Sequence, residues 1–184
     1  MDTVGLELIL IALLITVHGF FSLAEFAVIS IRKSRVAQLT AEGDERARIV
    51  ERLQRDPNRL LATVQIGITI VGSTASAVGG IIAVEHLKPL LAASPYPLLS
   101  HSAEPVAVTV MVASVSYLLL ILGELVPKSL GLQYADTLAL RVARPVALFS
   151  RIAGIVVSLL TLSSRGVYAL LRIKGEHKSF ITRE

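Results

Sequence analysis

The sequence contains no cysteine. That absence excludes a disulfide framework, a thiol nucleophile and a thiolate metal site, so any metal chemistry must use oxygen or imidazole ligands. Charge is missing over long stretches as well: residues 60–84 carry none, and residues 106–123 none before Glu124. Nor is there a basic segment ahead of the first apolar block, where only Asp2 stands, or a small-residue cleavage site within it. The block is therefore not read as a cleaved signal peptide.

What is present is apolar. A hydrophobic fraction of 53% and a mean hydropathy of +0.69 over 184 residues lie above the globular norm and indicate an all-α membrane protein. Three blocks exceed or approach the ~20 residues that span a bilayer, giving crossings at about 5–31, 60–84 and 106–127. The first is interrupted by Glu7, His18 and Glu25 and is expected to be tilted, or broken near Gly19. Between the first two, Arg32 to Arg59 carries eight Lys/Arg among Asp and Glu, with apolar Val36, Leu39, Ile49, Val50 and Leu53 interspersed. That pattern predicts an amphipathic helical segment over about 34–56 on a membrane surface, turning at Gly43.

The loop from Glu85 to Pro105 has a single basic residue, Lys88, and four prolines. By the positive-inside rule the Arg32–Arg59 segment is cytoplasmic, this loop and the N-terminus are outside, and Lys128 is inside. A net charge of +4 would suggest nucleic acid in a soluble chain, but the basic residues flank apolar blocks and read as topology signals, so no nucleic-acid partner is expected. Beyond Lys128, the uncharged run from Ile152 to Ser164 spans only 13 residues. Arg141, Arg144 and Arg151 precede it, and Arg165, Arg172, Lys174 and Lys178 follow. Over about 137–173 this predicts juxtamembrane helices, as an interfacial or re-entrant helical hairpin, with a fourth crossing as the alternative.

Three stretches carry the chemistry. In "HGFFSLAEF", Ser22 and Glu25 are three apart and share a helix face. In "IGITIVGSTASAVGG", Gly72, Ser76 and Gly80 repeat every four residues, a small-residue pattern that allows close helix packing, with hydroxyls at Ser73, Thr74 and Ser76. In "LILGELVPKSLG", Glu124 stands three residues before Pro127 and four before Lys128. Proline has no N–H, and its ring clashes with the carbonyl four residues back, so a break at Pro127 would release the Gly123 oxygen. Irregular backbone in a membrane is tolerated where it is buried in protein or lines a cavity. A freed carbonyl beside a carboxylate, completed by serine hydroxyls, is a ligand set for a hard cation such as Mg²⁺.

Each residue also has a plainer reading. Membrane Ser and Thr commonly bond the preceding turn or a neighbouring helix, the glycine pattern is structural, and His18 reads as a hydrogen-bonded core residue. Glu124 is different, because an ionisable group within a membrane segment is a functional hypothesis by default. Glu25 remains open as a ligand, a residue that orients one, or a neutral hydrogen-bonding acid. Lys128 is an interfacial anchor or a cation that neutralises Glu124.

The motifs "FFSLAEFA", "TVQIGITIVGSTASA" and "GELVPKSLGLQYAD", in this order over nearly the whole chain, resemble the transmembrane domain of the CorC/CNNM family of magnesium transport proteins. The resemblance implies a transmembrane domain over about 1–175 with three crossings, an extracellular N-terminus, cytoplasmic juxtamembrane helices and a homodimer in a plasma or inner membrane. It further implies Mg²⁺ efflux coupled to Na⁺ through a metal site of Ser22, Ser73, Ser76, the Gly123 carbonyl and Glu124. Glu25, Gly72, Thr74, Pro127 and Lys128 would support that site. Residues 176–184 would begin a linker to a cytoplasmic CBS-pair module, which this chain does not contain. An enzyme is not expected. Two other readings stand beside transport: a Mg²⁺ sensor or membrane scaffold using the same residues, and an intramembrane serine protease using His18 with Ser73 or Ser76. The last is disfavoured because "GSTAS" lacks a nucleophile turn and nothing is placed to orient His18.

Overall fold

A computed structural model describes residues 3–170, which fold into helices without strands. Helix α1 (Thr3–Ser30) is followed by α2 (Lys33–Ala41), α3 (Glu45–Arg55) and α4 (Pro57–Ile82). A π-helical segment, Ala83–Leu87, joins α4 to α5 (Lys88–Ala92), and α6 (Pro97–His101) leads into α7 (Ala103–Leu118). A second π segment, Leu119–Leu125, joins α7 to α8 (Val126–Gln133), and α9 (Ala135–Leu170) completes the described chain. Three continuous rods are long and apolar enough to cross a membrane: Val4–Ser30, Pro57–Ala92 and Ala103–Gln133.

The boundaries of the short helices follow from local chemistry. Gly43 sits at φ +93°, where a side chain would be strained, so α2 ends and the chain turns there, as its glycine indicates. Asp44 then caps α3 by accepting from the Arg46 N–H at 2.7 Å. Asp56 caps α4 in the same way through the Arg59 N–H, with Pro57 in the first turn, where a missing N–H costs nothing. The end of α1 is satisfied from a distance. Gln54 of α3 donates to the carbonyls of Val28 and Ile31 at 2.8 and 3.0 Å, supplying donors that the last turn of a helix lacks.

Packing concentrates at this end. Ala24, Ala27 and Val28 of α1, with Ile31 just beyond it, meet Ala139, Val142, Ala143 and Val146 of α9 in one buried cluster, small residues bringing the helices close. Phe21 lies against Phe149 with ring centroids 4.7 Å apart, and Thr63 reaches Ser150 across the α4–α9 contact. Glycine is used where backbones nearly touch. A Cβ on Gly131 would lie 2.6 Å from the Leu23 carbonyl oxygen, so α8 rests directly on the α1 backbone.

Three expectations are corrected. α1 is unbroken at Gly19, which instead lets the third rod approach. Residues 135–170 form one helix and not a hairpin: the run offers Gly154 as its only glycine before Gly166, and Gly154 keeps helical backbone, so no turn is made. This helix is not among the three rods of membrane-crossing composition. The stripe of Gly72, Ser76 and Gly80 serves as a seam within the chain only in part: Gly72 packs on His18, but nothing lies within 4 Å of a Cβ at Gly80, whereas one at Gly79 would meet Val115 at 2.9 Å. The side chain of Arg165, the basic residues Arg172, Lys174 and Lys178, and the linker expected from 176 lie outside the described residues.

Two substitutions test this packing. Gly131→Ala should destabilise the purified chain by about 1–3 kcal/mol in thermal unfolding, while Gly80→Ala should leave it unchanged or slightly more stable. Gln54→Leu should cost about 1–3 kcal/mol by stranding two carbonyls at the end of α1; an unchanged midpoint would show that the capping contributes nothing.

Candidate intramembrane ion site

The site begins with a proline inside an apolar rod. In an α-helix the Pro127 ring would press on the Gly123 carbonyl. The chain does not break, as the sequence suggests it should; it widens into the π segment, which moves that carbonyl away. The N–H of Val126 goes to the Ile121 carbonyl, five residues back. In this register the oxygen that Pro127 leaves without a donor is that of Leu122, and it points at α1, 3.0 Å from where a Gly19 Cβ would stand. The first π segment repeats the device, for the Lys88 N–H goes to the Ala83 carbonyl immediately before Pro89. π segments of this kind frequently occur at functional positions.

On α1, His18, Ser22 and Glu25 are spaced by four and three residues and so lie along one face. His18 is the junction of three elements. Its ring would be 3.3 Å from a Cβ on Gly72 of α4 and 3.0 Å from one on Gly123 of the second π segment, so a side chain at either position would crowd it. It is 8% exposed and its Nδ1 has no hydrogen-bond partner among the described residues. Ser22, one turn on, is 0% exposed, and its Oγ is likewise without a partner. A buried hydroxyl that bonds nothing is costly, on the order of 1–3 kcal/mol.

The third rod supplies charge. Lys128 donates to Glu124 in a half-buried pair and lies 5.4 Å from the Phe26 ring centroid. The charges of Glu124 and Lys128 act on both His18 and Glu25, so four ionisable groups share this region of the bundle. Glu25 is half-buried and has no ion-pair partner among the described residues. Two acids, one lysine and a histidine, with an unserved carbonyl and a bare hydroxyl between them, can hold and exchange a cation.

The α4 residues are arranged differently. Gly67 packs on Phe21 and Gly72 on His18, which sets an antiparallel register. At ~1.5 Å per residue, Ser73 and Ser76 lie ~9 and ~14 Å along α4 from Gly67, towards the end of the bundle away from Ser22. Ser76 is half-buried on the Gly72 side, Ser73 is exposed, and the Thr74 hydroxyl is taken up by the Ile70 carbonyl at 2.8 Å. Ser22, Gly72, Gly123 and Glu124 are therefore brought to one junction through His18, while Ser73 and Ser76 continue from it as a ladder. Sequence reasoning passed over His18 as a member of the site; its i, i+4, i+7 spacing with Ser22 and Glu25 was the available signal.

The residues also place the chain among known proteins. The model of the cyclin M transmembrane N-terminal domain (CNNM) matches residues 8–184. The UPF0053 protein sll0260 of Synechocystis sp. is 37% identical over 183 residues, covering 100% of this chain and 40% of that protein. The UPF0053 protein YhdT of Bacillus subtilis is 34% identical over 78% of this chain and 31% of its own length. The chloroplastic DUF21 domain-containing protein At1g55930 of Arabidopsis thaliana is 28% identical over 96% of this chain and 24% of its own. The chain thus spans two fifths or less of these relatives. With three apolar rods around a charged, glycine-lined junction, it belongs to the CNNM transmembrane-domain family.

Proposed function

We propose that this domain carries Mg²⁺ across a membrane. The observation that supports this most directly is the fully buried, unpartnered Ser22 hydroxyl beside the junction that Glu124 also approaches. Mg²⁺ demands oxygen ligands in near-octahedral geometry and gives up water reluctantly. A carboxylate from Glu124, the Ser22 hydroxyl and a backbone oxygen of the π segment, that of Gly123 or the Leu122 oxygen that Pro127 leaves without a donor, are of the right kind, with Ser73 and Ser76 of α4 serving as further oxygens along the path. Gly72 and Pro127 shape the junction, and Glu25 and Thr74 support it from α1 and α4. Lys128 holds Glu124 when no cation does, so an arriving ion must displace an ammonium. That competition keeps the carboxylate compensated at every stage, which a low-dielectric interior requires.

Coupling fits the same arrangement. Two acids, Glu25 and Glu124, against one lysine leave room for a second, monovalent cation, and Na⁺ moving inward would drive Mg²⁺ efflux. In this reading the chain works as a homodimer in a plasma or inner membrane, with its N-terminus outside and a CBS-pair module attached on the cytoplasmic side of the whole protein. It is a carrier and not an enzyme. A sensor that binds the ion without moving it would share these ligands, and flux is the measurement that separates the two.

In liposomes reconstituted with the full chain, Glu124→Gln should lower Mg²⁺ flux and Mg²⁺-dependent thermal stabilisation by more than the ~10–100-fold that loss of an outer residue costs a metal site. Undiminished flux would remove Glu124 from the mechanism, whereas binding without any flux in the unaltered chain would favour the sensor. Ser22→Ala should uncouple stability from transport. Removing an unpartnered buried hydroxyl should leave the unfolding midpoint equal or higher, while flux falls; a lower midpoint would mean that the hydroxyl has a structural partner.

A further inference from the structure

A second feature lies at the opposite level of the molecule from Ser73 and Ser76. Between α3, the start of α4 and α9 is a cavity of about 440 Å³ lined by Arg52, Arg59, Arg144 and Arg151, with Asp56 as the one acid. The acid is committed, since Asp56 caps α4 through the Arg59 N–H. Arg144 is offset by Glu45 at 3.3 Å. Arg52, Arg59 and Arg151 have no ion-pair partner among the described residues. Arg59 lies against α9, its guanidinium 3.7 Å from where a Gly154 Cβ would be, so the two helices present their cations to the same space.

The cavity is not purely polar. Leu148 lines it and is 60% exposed, and beyond it Ile152, Ile155 and Leu159 continue along α9 at spacings of four, three and four residues. That is one apolar helix face, open along its length, beginning among guanidinium groups at the level where the α4 rod enters its apolar stretch. Three arginines that share a single carboxylate, Asp56, leave the cavity net positive and fit phosphate oxygens, which a planar guanidinium binds in bidentate fashion. A free phosphate would use the cations and leave the apolar face uncovered; a phospholipid uses both.

We propose that this cavity binds the headgroup of an anionic phospholipid, with the acyl chains laid along Leu148, Ile152, Ile155 and Leu159. The lipid would bridge α3, α4 and α9, and so tie the surface helices to a membrane-crossing rod. The site is separate from Ser22 and Glu124 and does not depend on what they carry.

The test is lipid retention by the full chain in detergent, read by native mass spectrometry with phosphatidylglycerol against phosphatidylcholine, alongside inorganic phosphate as a headgroup-only probe. Phosphatidylglycerol should be preferred, and each of Arg59→Gln and Arg151→Gln should weaken it about fivefold, with Arg59→Lys and Arg151→Lys restoring most of the binding. Ile152→Ser with Ile155→Ser should weaken phosphatidylglycerol but not phosphate. These residues are exposed, and the unfolding midpoint in phosphatidylcholine should not move. Equal retention of the two lipids, or retention unchanged in the arginine variants, would overturn the proposal. It would also fall if phosphate displaced all bound lipid and the isoleucine variants had no effect, which would mark a free-phosphate site, or if a glutamate-rich peptide bound more tightly than the lipid, which would mark a protein-docking site.

Discussion

A proline within an apolar rod removes a backbone donor in a place where water cannot replace it, and much of this structure follows from that constraint. At Pro127 and again at Pro89 the rod neither stops nor bends back. It shifts to i→i+5 bonding just before the proline, so that the ring no longer presses on the carbonyl behind it. The oxygen left unserved at Leu122 must then be covered by protein, and Gly19 allows α1 to cover it. Close approach also favours glycine at 72 and 123 on either side of His18, and requires it at 131 beneath Leu23. A single missing N–H thus connects the helix geometry, the glycine positions and the polarity of the junction.

Around that junction the polar groups divide into those that are settled and those that are not. Thr74 bonds its own helix, Thr63 finds Ser150, and Gln54 closes the end of α1. Ser22 and the Nδ1 of His18 are buried and bond nothing in the protein. Of the three buried side-chain polar atoms left without a partner among the described residues, the third being the Thr40 Oγ1, these two lie one helical turn apart, in the region that the acids at 25 and 124 share. In the proposed function the Glu124–Lys128 pair is more than neutralisation, since an arriving cation would have to displace the ammonium.

The basic end of the molecule obeys a different requirement. α3 and α9 lie against the start of α4, where apolar chain gives way to charge, and their arginines face one cavity without enough acids to balance them. An apolar face on α9 runs away from the same point. Headgroup and acyl chain are the two halves of one molecule that meets both demands.

Composition and periodicity alone determined the class of this protein, because the cost of burying charge in a bilayer writes itself into long uncharged runs and basic flanks. They also determined the turn at Gly43 and singled out Glu124 as a candidate, since an intramembrane acid is conspicuous in any context. What they could not supply was register. Whether Pro127 breaks a helix or widens it depends on how neighbouring helices cover the freed backbone, and the sequence of one rod does not contain its neighbours. For the same reason Gly79, and not Gly80, proved to be the contact glycine, and residues 135–170 kept to one helix where short composition suggested a hairpin. His18 is buried, as a core residue would be, and only the convergence of Gly72 and Gly123 upon it made it a candidate for the centre of the site. Tertiary structure decided these points because each rests on distances between elements far apart in the chain.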